Sequence, residues 1–383
     1  MRRMFAAAAI AALATGALRA QAPLPARSAE PFKLGTFDLD GEDRLGLVLR
    51  DRFVVDLHAA NRALERDPVY PKIPMPADML ELIGRYEYGL KYRLYEIVGY
   101  LAAENRIERA RPAYVHDAAR VRALAPIKYP TKMLNAAVNY YGHISETATP
   151  EEQRKAQEER RRDRGIPYLF HKTTVGAIIG NGDPIVMPYG RDRMDWEVEL
   201  GVVIGRAARY VPAARAADHI FGYTIHLDMS DRGGRPPGGF QGVDWYVGKG
   251  HDTFAPLGPW IVPKEFYGDP MNVRQTLTVN GQTMQDHRSS DMIHNIYELI
   301  EYASSISTLF PGDVVNAGSG AGVGMGTAVR GEQVFLKPGD KIVATIEGIG
   351  TLTHEVVAGP RPAHWEGDRG TGSALPPVRS YRR

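Results

Sequence analysis

The chain has 383 residues, 44% of them hydrophobic, which is enough to bury one large core or two modest ones. Its formal net charge of +2 leaves no electrostatic footprint for nucleic acid. The absence of cysteine excludes disulfides and thiolate ligation, so any metal must be held by oxygen or nitrogen.

Residues 1–20 read as an export signal: basic Met1-Arg2-Arg3-Met4, an apolar run from Phe5 to Leu18, then Leu18-Arg19-Ala20 before Gln21. Either a Sec or a twin-arginine route fits Arg2-Arg3-Met4-Phe5, and both predict a periplasmic or secreted protein. Removing this segment takes the basic count from 47 to 44 against 45 acids, a net of −1. No membrane span is expected in the mature chain, because the apolar run is short and alanine-rich.

Residues 21–127 form the expected N-terminal α+β domain. Short β runs at Lys33–Phe37, Leu45–Leu49 and Phe53–Leu57 alternate with polar turns and predict a small meander. Asp78 caps a helical pattern through Met79, Leu82, Ile83, Tyr86, Leu90 and Leu94, which Gly84, Gly89 and Gly99 divide into more than one helix.

Residues 128–360 carry the chemistry. Met133–Val138 is an apolar strand candidate, and His143 and Glu146 follow it three residues apart. On a helical turn they form either a His/carboxylate base dyad or ordinary surface polarity. Thr149-Pro150-Glu151-Glu152 starts a helix with almost no apolar stripe, a solvated helix or a mobile lid.

In Met194–Leu200, strand alternation puts Glu197 and Glu199 on one face. Two such charges about 4 Å apart repel by roughly 4 kcal/mol at an effective dielectric near 20. Water on a solvated face offsets that repulsion, or a hard divalent cation does. Asp228, a strand-end carboxylate on a polar face, is the candidate third ligand.

Arg232–Gly242 is a Gly/Pro-rich loop, Asn280-Gly281 a hairpin turn, and Met292–Ile306 an amphipathic helix. Pro311–Gly326 is a glycine-rich turn with no helix pattern after it, which argues against a phosphate loop despite Gly318, Gly320 and Gly322. Residues 361–383 read as a disordered tail.

Six ordered blocks resemble the fumarylacetoacetate hydrolase family over about Ala125 to Val357. They are N-Y-x-x-H-x-x-E (Asn139–Glu146), L-F-x-K ending at Lys172, and D-x-E-x-E-L ending at Leu200. Next come G-Y-T-x-x-x-D-x-S (Gly222–Ser230), G-K-x-x-D-T-F (Gly248–Phe254) and Pro311-Gly312-Asp313-Val314-Val315. The resemblance implies a β-rich α+β fold, a mixed β-sandwich roll with a smaller N-terminal domain, and a homodimer. It implies Mg²⁺, Mn²⁺ or Ca²⁺ on Glu197, Glu199 and Asp228, with His143, Glu146 and Lys249 catalytic. It places substrate contacts at Lys172, Arg232 and Ser319.

The pattern departs from the family at Leu227, at Ser230-Asp231-Arg232-Gly233 and at Gly318-Ser319-Gly320, positions around the substrate. The expected activity is metal-dependent C–C hydrolysis of a β-diketone or acylpyruvate-like 2-oxo acid through an enolate. Decarboxylation, dehydration or isomerisation of a 2-oxo acid on the same site is the alternative, and a non-catalytic exported binding protein is the rival from another class.

Overall fold

The alternating runs near the N-terminus form an antiparallel meander. Phe32–Leu39 turns into Glu42–Leu49 through Asp40 and Gly41, both at positive φ, and Phe53–Asp56 and Val115–Asp117 continue it. Asp78 caps Met79–Arg85 by accepting from Glu81 N at 2.9 Å. Gly89, at φ +113°, interrupts the helical run before Lys91–Ala102 resumes it. This computed structural model describes residues 24–234, 244–327 and 330–361. The export signal, part of the loop before Trp245 and all but the first residue of the expected tail lie outside them.

The meander continues into the rest of the chain. Phe32–Leu39 pairs antiparallel with Ala255–Pro263, Leu34 facing Ile261. From there the sheet runs through Ile220–Leu227, Val198–Ile204, Val314–Asn316 and Met133–Ala136 to an edge at Leu169–His171, twelve strands in all. Leu34, Leu47, Leu82 and Leu94 share one apolar cluster with Val203, Phe221, Leu257 and Ile261. The stretches on either side of residue 127 therefore have a sheet and a core in common.

A second sheet of five strands packs on the first: Gln282–Arg288, Arg274–Val279, Lys341–Ile346, Gly350–Ala358 and Ile185–Met187. Asn280 and Gly281, both at positive φ, make its expected hairpin. Between the sheets lie Leu200, Val202, Ile225 and Leu227 from one side and Leu277, Ile342, Leu352 and Val356 from the other. The fold is thus α+β, β-rich and rolled, as expected.

The amphipathic helix is shorter than its pattern, Ile296–Ile306, because Asn295 accepts from Tyr297 N and Glu298 N and fixes the start there. Ile296 and Ile300 are buried, whereas Ile306 is exposed. Among the described residues no helix is long and apolar enough to cross a membrane.

Candidate active site

The E-x-E run is not one strand. Pairing of Met194–Asp195 with Ser230–Asp231 ends after Asp195, and the next strand begins at Val198. Glu197 sits in the gap, held by Asp228 N donating to its carbonyl at 2.9 Å. Glu199 lies on the resumed strand opposite His226, and Asp228 follows the end of the neighbouring strand. Carboxylate oxygens of Glu197, Glu199 and Asp228 fall within 4.8 Å of one another, and all three residues are buried.

Three cations close on this cluster. Lys249 Nζ donates to Glu197 Oε2 at 2.8 Å and Asp228 Oδ2 at 2.6 Å. Arg232 reaches Glu197 Oε1 at 2.5 Å and Asp195 Oδ2 at 2.9 Å. Lys172 Nζ lies 2.6 Å from Asp228 Oδ1 and also donates to Met229 O at 2.7 Å. Burial would raise the Asp228 carboxyl, but the charges of Lys172 and Lys249 outweigh it and hold the group well below its usual range. Burial pulls Lys172 down to about 8.

Glu199 differs. Asn135 Nδ2 at 3.3 Å and Gly318 N at 2.7 Å donate to it, and it has no ion-pair partner among the described residues. Burial, then the charges of Asp228 and Glu197, pushes its carboxyl well above the usual value. A divalent cation held here would supply the charge that Glu199 lacks. Three buried carboxylates with oxygens within 4.8 Å of one another suit a hard cation.

The dyad forms without an α-helix. Tyr141–His143 is a single tight turn, Ser145 adopts φ +52°, and His143 Nδ1 comes 2.5 Å from Glu146 Oε1. Glu146 Oε2 accepts from Gly322 N at 2.8 Å. Gly318 and Gly322 thus tie one glycine turn to both Glu199 and Glu146. Gly322 sits at φ +102°, and a Cβ there would lie 2.0 Å from Met284 O, so the turn requires glycine.

Ser319 also belongs to this turn, its hydroxyl donating to Val198 O at 3.0 Å and accepting from Gln285 Nε2 at 2.8 Å. The helix Pro150–Arg162 buries no residue and touches the dyad loop through Gln153 Nε2, which donates to Ile144 O at 3.0 Å.

Asp195, Gln285 and His287 join the site with no role expected from the sequence. Asp195 is fully buried and accepts from Met325 N at 3.1 Å as well as Arg232, joining the glycine turn to the arginine. Its spacing from Glu197, two residues, was the available signal. Gln285 Oε1 accepts from Val198 N at 3.0 Å, and His287 Nε2 from Gly320 N at 3.2 Å. Both come from the second sheet, and only the packing of the sheets brings them here.

A β-rich roll with a buried carboxylate triad beside a His/Glu dyad defines a metal-dependent enzyme class, and comparison identifies the family. Residues 132–357 match the model of the fumarylacetoacetate (FAA) hydrolase C-terminal domain. The chain belongs to the fumarylacetoacetate hydrolase family.

It is 37% identical over 237 residues to the mitochondrial oxaloacetate tautomerase FAHD2A of Bos taurus, covering 62% of this chain and 70% of that one. It is 36% identical over 231 residues to 2,4-didehydro-3-deoxy-L-rhamnonate hydrolase of Sphingomonas sp., covering 60% and 75%. Among solved structures it resembles maleylpyruvate hydrolase from Sphingobium sp. SYK-6 in complex with manganese(II) and pyruvate. The TM-score is 0.61 and the identity 28%, over 86% of this chain and 100% of that one. The family relationship supports an enzyme, and the buried carboxylate cluster is suited to a divalent metal.

Proposed function

We propose that the protein is a metal-dependent hydrolase that cleaves a carbon–carbon bond in a β-diketone or acylpyruvate-like 2-oxo acid, through an enolate. One arrangement supports the reading: a single glycine turn fastens the uncompensated carboxylate Glu199 and the dyad residue Glu146. Glu197, Glu199 and Asp228 would hold Mg²⁺ or Mn²⁺, a Lewis acid for negative charge developing on substrate oxygens. The solved relative that holds manganese and pyruvate supports a 2-oxo acid as the chelating end.

The chain's own groups do the rest. Glu146 holds His143 by Nδ1, which leaves Nε2 to take a proton from water. That water adds to the distal carbonyl, the adjacent C–C bond breaks, and its electron pair stays with the oxo-acid fragment as the enolate. Lys249 places positive charge beside that fragment, and Lys172 and Arg232 contact its oxygens. A proton returned to carbon completes the product.

A second reading is favoured by one relative, the oxaloacetate tautomerase. Here His143 and Glu146 move a proton between carbon and oxygen, and no water adds. Purified protein with Mg²⁺ or Mn²⁺, assayed on acylpyruvates, β-diketones and oxaloacetate, separates the two. Two carbon fragments mean hydrolysis, whereas keto–enol exchange without cleavage means tautomerisation. Equal turnover by Glu199→Ala would overturn both.

We place the enzyme outside the cytoplasm, on the basic and apolar pattern of residues 1–20, and as a homodimer, on the family resemblance. N-terminal sequencing of mature protein beginning at Gln21, and a light-scattering mass of two chains, are the expected results.

A further inference from the structure

Two elements approach the cation cluster from outside, and both carry the same order of side chains. Around the edge strand Leu169–His171, Tyr168, Phe170 and Lys172 alternate onto one face. Lys172 is the inner member, on Asp228. In the short helix Trp245–Lys249 the first and last residues are four apart, hence on one side, and Lys249 is again the inner member.

The outer members meet. Trp245 stacks on Phe170 with ring centroids 4.4 Å apart and planes 14° from parallel. Trp245 Nε1 donates to Tyr168 Oη at 3.0 Å, which fixes the indole plane. Phe170 is buried with its ring 5.5 Å from Lys249 Nζ, Trp245 is half-buried, and Tyr168 is 54% exposed. An aromatic wall thus runs from the cations to the surface.

We infer that Phe170, Trp245 and Tyr168 form a subsite for a flat aryl or conjugated group at the distal end of the substrate. The inference rests on the proposed 2-oxo acid reading for the end held by the cations. Aromatic faces favour offset stacking on another flat π-system and offer a carboxylate tail no partner. Packing alone would explain Phe170, but not a half-buried indole held in one plane by an exposed tyrosine. Continuity with Lys172 and Lys249 favours substrate over a second copy of the chain as the occupant.

Calorimetric titration of the full-length Mn²⁺-loaded protein with benzoylpyruvate and with acetylpyruvate tests this, the wild-type wall and its variant both being compared in a Glu146→Gln background whose slowed turnover leaves binding to be read. The wild type is expected to prefer the aryl ligand by about tenfold or more. Trp245→Ala is expected to bring the ratio close to one. Equal wild-type affinities would overturn the inference, as would a variant that weakens both ligands and keeps the ratio. A variant that changes only the oligomeric state would assign the wall to a subunit contact instead. If the wild type binds neither ligand, the 2-oxo acid reading itself falls.

Discussion

Glu199 and Glu146 accept backbone N–H bonds from opposite ends of one turn, Gly318 N at 2.7 Å and Gly322 N at 2.8 Å. The proposed metal ligand and the base-orienting carboxylate are therefore positioned by the same five residues. Their roles remain separable by mutation. Glu146→Gln keeps the shape and the Gly322 bond but removes the charge that orients His143. We expect kcat to fall roughly a hundred- to ten-thousand-fold, with divalent-metal affinity by calorimetry within threefold of wild type. A matching loss of metal affinity would place Glu146 among the ligands.

The metal triad gives a second expectation. Burial and two neighbouring carboxylates already push Glu199 toward its protonated form, so Glu199→Gln resembles the metal-free state. The melting temperature in EDTA should match wild type within 2 °C, a band roughly equal to 1 kcal/mol at this size. The metal response should be lost. Wild type at a hundred times the dissociation constant gains about 2.7 kcal/mol, several degrees. Calorimetric scans of both proteins with and without Mn²⁺ test it, and an undiminished gain in the variant would remove Glu199 from the site.

Local chemistry made part of this legible in the sequence. Asn280-Gly281 demands a hairpin, Thr149 and Glu152 a helix start, and a cluster of carboxylates a counter-charge. The break at Trp196-Glu197 was not legible, because the alternation fits a continuous strand equally well. Nor was the pairing of Leu34 with Ile261, set by register between strands more than 200 residues apart. His287 was hidden for the same reason: it meets Gly320 only when the two sheets pack.

That pairing predicts how the molecule unfolds. Leu34 is fully buried in an apolar cluster that draws on both sides of residue 127. Leu34→Ala should cost about 2–5 kcal/mol. It should shift one transition of the whole chain, with fluorescence and circular dichroism coinciding in urea. Two separated transitions, the first confined to residues 24–127 by hydrogen exchange, would show that this part folds alone.

His287 sets an acid limit on stability. Its Nε2 accepts from Gly320 N, and its ring meets Tyr140 edge-on at 5.1 Å. Burial, then the nearby His143, pushes the imidazole down to about 4. The unfolded chain takes up this proton near pH 6.5. Stability from the neutral ring is thus complete above about pH 6.5 and declines as pH falls toward 4. Between pH 7 and pH 5 the loss is about 2 kcal/mol. His287→Gln can keep an acceptor for Gly320 N but does not titrate. Urea melts at the two pH values should show the variant losing about 2 kcal/mol less than wild type. Equal losses would mean that His287 is already reachable by solvent protons at pH 5, and that the glycine turn is looser than its hydrogen bonds imply.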